Sequence, residues 1–450
     1  MFSKRIISML VVLSFISQAL VVVDTDSYSS VVVEDSSILE ELSEQNGART
    51  GEPSYTVYDF VEMDPINFDY DESIFQGTIG VPTFTPASAI EQDSAYDVFA
   101  GDIDGDGDMD LVVAVKDDDT VAWFENDGGN FSSWPRSIID SQAPESVVHV
   151  HVADMDGDGD LDVVSSSNED HTIAWYENDG AADPSWTSTN INTSLTSVKD
   201  FDVGDIDGDG DLDITLAYAN KVVWFENDGA ADPSWSDGIL INASQPGAMA
   251  AYAVDMDYDG DLDVVTGGVL DIVWYKNDGA ADPNWTATVV YNDTIHNNGL
   301  DFADIDDDGD MDIVSLSEHA NAVIWHENDG AADPSWTSTT VTTSASNIKS
   351  VDVGDADGDG DIDIVSASYA DRAIAWYEND GNADPTFTAV DIDYVSGAIQ
   401  AYLADMDSDG VLDIISVGTD GSHNTGFITL YELTYTETPI STASSAHWSI

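Results

Sequence analysis

Cysteine is absent from this 450-residue chain, and lysine and arginine together number 10 against 89 aspartates and glutamates. The first absence rules out disulfides and a lipid-modified cysteine. The second leaves a formal net charge of −79, and a surface that acidic repels nucleic acid and anionic membranes alike. It suits a salty medium, where screening shortens the reach of the repulsion. Long apolar runs are scarce too, except at the start: Lys4 and Arg5 precede an apolar stretch from Ile6, and Ser17-Gln18-Ala19 offers a small-x-small cleavage site. Residues 1–19 are therefore expected to be a secretory signal, with an uncleaved anchor reaching Val23 as the alternative. The chain is expected to be secreted or displayed at the cell surface, with no transmembrane domain beyond that segment.

Aspartate is abundant, and it is patterned. The string Asp-x-Asp-x-Asp-Gly-x-x-Asp occurs seven times. Its acidic positions are Asp102, Asp104, Asp106, Asp108 and Asp110 in the first copy, and Asp154, Asp156, Asp158, Asp160 and Asp162 in the second. The third holds Asp205, Asp207, Asp209, Asp211 and Asp213; the fourth Asp255, Asp257, Asp259, Asp261 and Asp263; the fifth Asp304, Asp306, Asp308, Asp310 and Asp312. The sixth holds Asp355, Asp357, Asp359, Asp361 and Asp363, and the seventh Asp405, Asp407, Asp409 and Asp413, with Val411 at position 7. Carboxylates at positions 1, 3 and 5 of a loop that turns at a glycine in position 6 can wrap a hard cation, with the carbonyl of position 7 and the carboxylate of position 9 completing the shell. Calcium fits such an oxygen-rich, adaptable loop better than magnesium, which demands a small octahedral cage and gives up water reluctantly. Up to seven calcium ions are expected. The alternative for a single acidic run is a solvated turn, and seven copies in register speak against it.

An EF-hand would need a bidentate glutamate at position 12 and helical flanks. Position 12 is Val113, Ser165, Leu216, Thr266, Ser315, Ser366 and Ser416, and the flanks, such as Val147 to Val152 and Leu161 to Ser165, alternate or are β-branched like strands. The loop is thus expected in a β-hairpin. The copies recur about every 50 residues, a period typical of propeller blades. In the second period we read strand A at 147–153, strand B at 161–166, strand C at 172–177 and strand D from Trp186. Asn178-Asp179-Gly180 and Asp183-Pro184 mark the turn between C and D. The fold class is therefore all-β: a seven-bladed propeller of four-stranded antiparallel blades.

Ring closure is also legible. Aromatic residues start strand D at Trp134, Trp186, Trp235, Trp285, Trp336 and Phe387, six positions for seven loops. The missing one stands ahead of the first loop: Pro82-Thr83-Phe84-Thr85 matches Pro385-Thr386-Phe387-Thr388, and both phenylalanines lie 18 residues before the next loop Asp, Asp102 and Asp405. An N-terminal strand is therefore expected to complete the last blade, which removes every free sheet edge. The strand-C tryptophans, Trp123, Trp175, Trp224, Trp274, Trp325 and Trp376, are expected to pack between blades rather than to stack on a ligand.

The acidic loop between the first two strands, together with the recurrent WYENDG string, resembles the FG-GAP/VCBS repeat family, related to the propeller of integrin alpha subunits. The resemblance covers roughly residues 82 to 435. It implies a seven-bladed propeller with calcium in the A–B loops and ligand binding on the opposite face. Two departures stand out: Val411 at position 7 of the last loop, and Lys276 where the other blades carry a strand-C glutamate.

Domain limits follow: signal 1–19, a Ser-, Asp- and Glu-rich spacer or propeptide at 20–80 expected to be largely disordered, the propeller at 81–435, and a Ser/Thr-rich tail at 436–450. Asn130, Asn192, Asn242, Asn284 and Asn292 open glycosylation sequons. His149 and His151 alternate on strand A and share a face, so they read as channel-lining or, alternatively, as a two-His metal site. Variation that could carry specificity is expected in the B–C and D–A loops on the face opposite calcium, with Asn168, Glu169, His171, Tyr218, Lys221, His319, Tyr369, Arg372 and His423 as candidates; the alternative is ordinary polar loop residues. No catalytic constellation stands out. The expected function is a monomeric binding or adhesion module for an extracellular glycan or protein, stabilised by calcium. The alternative is a carbohydrate-active enzyme of the lyase or dehydratase type. Only Arg49, Lys116, Arg136, Lys199, Lys221, Lys276, Lys349 and Arg372 follow the signal as basic residues, which disfavours a lyase that neutralises uronic acid carboxylates, unless calcium does so.

Overall fold

The computed structural model describes strands at 13–15, 18–23 and 30–33 and residues 78–439, apart from 127, 129–130, 132, 142, 231–232, 293–298, 332–333 and 420–425. The chain divides into two compact units, Met1–Phe75 and Gln76–Ile450. In the first, the described residues form a three-stranded antiparallel sheet of Leu13–Phe15, Gln18–Val23 and Ser30–Val33. Most of the expected signal and spacer, the 440–450 end of the tail, the Asn130 sequon and His423 lie outside the described residues. Among those described, no helix is long and apolar enough to cross a membrane.

In the second unit the described residues form seven four-stranded antiparallel sheets, the blades of a β-propeller. Blades 1 to 6 occupy 95–140, 147–192, 198–242, 252–292, 300–342 and 348–394. The strands of blade 2, Val147–Ala153, Asp162–Ser167, Ile173–Asn178 and Trp186–Asn192, fall within a residue of their expected limits. Blade 7 takes strands A to C from Ala398–Ala404, Asp413–Thr419 and Gly426–Pro439, and its fourth from Thr78–Glu91. The closing pair runs from Phe427 opposite Glu91 to Pro439 opposite Thr78, extending past both 81 and 435. Gln400 in blade 7 then ties the inner strands: its side-chain oxygen accepts from the Val98 N–H at 2.9 Å and its amide donates to the Val98 carbonyl at 3.1 Å.

The core lies between blades. Strand C presents alternate residues to opposite neighbours. Its tryptophan therefore packs into one interface and the next residue into the other. Trp123 meets Tyr176, Trp175 meets Phe225, Trp224 meets Tyr275, Trp325 meets Tyr377 and Trp376 meets Tyr431 in successive apolar clusters. All six strand-C tryptophans are at most 4% exposed, as core residues should be. Phe84 takes the place expected for the missing strand-D aromatic, edge-on to Trp376 with ring centroids 5.5 Å apart.

Candidate functional site

The seven acidic loops share one backbone solution. Glycine at position 6 (Gly107, Gly159, Gly210, Gly260, Gly309, Gly360, Gly410) has φ between 90 and 103°, a conformation that L side chains avoid. The turn brings its N–H onto the Oδ2 of the position-1 aspartate at 2.9–3.1 Å in every copy. The position-5 carboxylate likewise accepts from the N–H of position 7 at 2.9–3.1 Å. These bonds hold carboxylates facing one another. One oxygen from each of Asp102, Asp104 and Asp106 lies within 4.8 Å of the others, as in Asp154/Asp156/Asp158, Asp205/Asp207/Asp213, Asp255/Asp257/Asp259 and Asp304/Asp306/Asp308. Burial pushes Asp104, Asp156, Asp207 and Asp407 above the usual carboxylate range, and Asp306 and Asp357 to about 6, with neighbouring loop carboxylates adding to the rise. Asp102 Oδ1, Asp306 Oδ1 and Asp355 Oδ1 are buried with no hydrogen-bond partner. Orphaned anionic oxygens crowded together are what a hard cation satisfies, so the donor set fits calcium.

Position 9 has a second role. Asp110, Asp162, Asp213, Asp263, Asp312, Asp363 and Asp413 are at most 5% exposed. In blade 2, Asp162 Oδ2 accepts from the Met155 N–H at 3.2 Å and the Trp175 indole at 3.0 Å, and Oδ1 accepts from the Asn178 N–H at 2.8 Å. Oδ1 keeps a lone pair for an ion. Burial pushes these carboxyls up to about 7, and Asp263 to about 6, against the pull of those hydrogen bonds.

The asparagine of the NDG string is more than a turn former. Asn178 Nδ2 donates to Leu161 O in its own blade at 3.0 Å and to Ile103 O in the preceding blade at 2.9 Å. Asn227, Asn277 and Asn379 repeat the cross-blade bond to Met155, Ile206 and Ile305, and Asn126 closes the ring to Met406. The position-7 carboxylates of Asp108, Asp160, Asp211, Asp261, Asp310 and Asp361 lie against the NDG glycines so closely that a Cβ there would collide. Blade 7 lacks the NDG string and has Val411 at position 7, so the two departures belong together; Leu433 stands at the asparagine's place and joins the apolar cluster of Ala356. Sequence reasoning missed this stitching, although the Asn-Asp-Gly that recurs in blades 1 to 6, each time with an Asp at loop position 7, was its signal.

The inner strands line a channel. His149 Nδ1 lies 3.5 Å from both Asp97 of blade 1 and Asp200 of blade 3, and His151 Nε2 lies 3.4 Å from Asp202. Burial opposes the charge on His149, but Asp200 and Asp97 outweigh it and raise it to about 9. Tyr252 of blade 4 donates to Asp200 at 3.1 Å. These side chains also stitch blades, since Asp97 accepts from the Val150 N–H, Asp202 from that of Ala253 and Asp352 from that of Leu403. His149 is thus held between carboxylates of both neighbouring blades, and His151 stands beside Asp202.

The face opposite the acidic loops is built from B–C turns and D–A connections. Blades 1, 6 and 7 form a solvent-open cavity there of about 280 Å³, lined by Tyr96, Lys116, Asp117, Tyr369, Ile399 and Thr419 among others. Lys116 Nζ sits 4.1 Å from the Tyr96 ring centroid, and Ser94 donates to Asp117 at 3.0 Å. Burial lowers the Lys116 pKa and raises that of Tyr96. Of the turn residues singled out in the sequence, the structure brings Tyr369 into this cavity, and pairs Tyr218 with Lys221 at 5.4 Å. His171 and Arg372 shape their turns with φ of 64° and 68°. Tyr96 and Lys116 were not singled out, because nothing local distinguishes them.

A family model described as FG-GAP-like repeat matches residues 102–165, 154–216, 205–266, 304–366 and 355–416. No match was found among curated protein sequences. Among solved structures, one described as an Agrocybe aegerita lectin that specifically recognises non-reducing terminal N-acetylglucosamine is similar at 16% identity and a TM-score of 0.48, covering 69% of this chain and 81% of that one.

Proposed function

The chain belongs to the FG-GAP-like repeat family, and we propose that it is a secreted or surface-displayed binding module. Calcium in the acidic loops stabilises the propeller, and the ligand docks on the opposite face. The calcium would be held by the carboxylates of positions 1, 3, 5 and 9 and the carbonyl of position 7, and it would cross-link a cysteine-free fold. The orphaned buried oxygens of Asp102, Asp306 and Asp355 support this reading. One observation carries the binding reading: the cavity at Tyr96, Lys116, Asp117 and Tyr369. Two phenol rings supply apolar surface, while a lysine and an aspartate supply a donor and an acceptor, the mixture that orients a small polar ligand such as a sugar. The test is a glycan array probed with the calcium-loaded protein, alongside Tyr96→Ala and Lys116→Ala. Binding that disappears in both variants at unchanged melting temperature supports the assignment; binding that survives both removes it. The enzymatic alternative draws on His149, Asp200 and Tyr252 in the channel. It is tested by following the same glycans for cleavage or unsaturated products.

A further inference from the structure

The fourth acidic loop differs from the other six in one side chain that does not belong to it. Strand C of blade 4, Asp271–Lys276, ends beside the loop, since Tyr275 pairs with Val264 immediately after Asp263. The residue reaching the loop from that position is glutamate in the other blades: Glu125, Glu177, Glu226, Glu327, Glu378 and Glu432. Glu226, Glu327 and Glu378 press by like charge on Asp207, Asp306 and Asp357, each at position 3 of its own loop. In blade 4 the residue is Lys276. Its ammonium forms ion pairs with Asp257 and with Asp259, the latter at 3.1 Å. These are positions 3 and 5, two of the three side chains that gather in this loop.

We propose that Lys276 is the built-in cation of loop 4, its ammonium standing where a divalent ion sits in the other loops, so that the propeller binds six calcium ions rather than seven. This rests on the calcium reading above. A divalent ion and the ammonium compete for the same two carboxylates. At a separation of about 5 Å their repulsion, even at the dielectric of bulk water, weakens binding by roughly tenfold. Swinging Lys276 away instead forfeits both ion pairs. The expected six-plus-one asymmetry is therefore a property of one strand-C residue and not of the loop sequence, which keeps all five aspartates.

The experiment is calcium stoichiometry by native mass spectrometry and calorimetric titration on the full chain, with Lys276→Glu and Lys276→Gln beside the wild type. Glutamate at this place is compatible with folding, because the other blades carry it. The wild type should hold six ions, with any seventh bound at least ~10-fold more weakly. Lys276→Glu should hold seven of similar affinity, and Lys276→Gln should strengthen the seventh relative to the wild type. Seven equivalent ions in the wild type, or six in all three proteins, overturns the role of Lys276 while leaving the calcium reading intact. No bound calcium in any of them overturns both.

Discussion

Replacing Asn178 tests the claim that the NDG asparagine is a stitch between blades. The side chain is 1% exposed and makes three hydrogen bonds: Nδ2 to Ile103 O and to Leu161 O, and Oδ1 from the Gly180 N–H at 3.0 Å. Each bond contributes about 1 kcal/mol net, and a buried carbonyl left without a donor costs a further 1–3 kcal/mol. Asn178→Ala should therefore lose about 4 kcal/mol, a large part of the roughly 5–15 kcal/mol that holds a typical domain together. Asn178→Asp is the sharper variant, because it keeps the shape and opens no cavity. It replaces a donor by a carboxylate that faces two carbonyl oxygens. At pH 8 its loss should equal or exceed that of alanine, and it should shrink as pH falls and the new carboxyl takes a proton. The assay is guanidinium unfolding in saturating calcium at pH 8 and pH 5. If Asn178→Asp stays within about 1 kcal/mol of the wild type at pH 8, the cross-blade bond to Ile103 is not what the asparagine is for.

Other expectations follow from the same geometry. Without divalent ions, burial pushes the position-9 carboxyls to about 7, and Asp263 to about 6, against about 3.8 unfolded; their contribution is thus present in acid and lost as pH rises through 6 to 7. Melting in chelator should accordingly occur at higher temperature at pH 5 than at pH 8, and calcium should abolish that trend; an unchanged melting temperature on chelation would count against the metal reading. His326 works the other way: burial drives it down to about 3, with Ser315 and Ser338 each 2.8 Å from a ring nitrogen, so stability present above pH 6.5 is lost as pH falls towards 3. His326→Tyr, the residue at the matching places Tyr176 and Tyr377, should spare about 2.5 kcal/mol at pH 4.5, measured by urea unfolding in saturating calcium. Phe84→Ala should cost about 3–5 kcal/mol by emptying the closing blade's contact with Trp376, read as a lower unfolding midpoint.

The chain alone settles whatever one repeat contains. An acidic loop is nine consecutive residues whose ligands, turn glycine and flanking strands are neighbours in the chain, so its chemistry and hairpin setting are local. Repetition then supplied the blade count, and the displaced Phe84 supplied the closure. Tertiary structure decided everything that depends on which repeats touch. Asn178 looks like a turn residue until Ile103 of the preceding blade is brought beside its amide. The alternation of His149 and His151 defines a face, but only ring closure places Asp97 and Asp200 across from it. Tyr96, Lys116 and Tyr369 form one cavity because blades 1 and 6 converge on blade 7, although some 250 residues separate Lys116 from Tyr369 in the chain. Lys276 sits outside its loop motif, and the pairing of two strands is what lays its charge on Asp257 and Asp259. A sequence period reveals the unit, because the forces within it are short-range in sequence; contacts between units depend on the angle at which each blade meets the next, and the folded ring sets that angle.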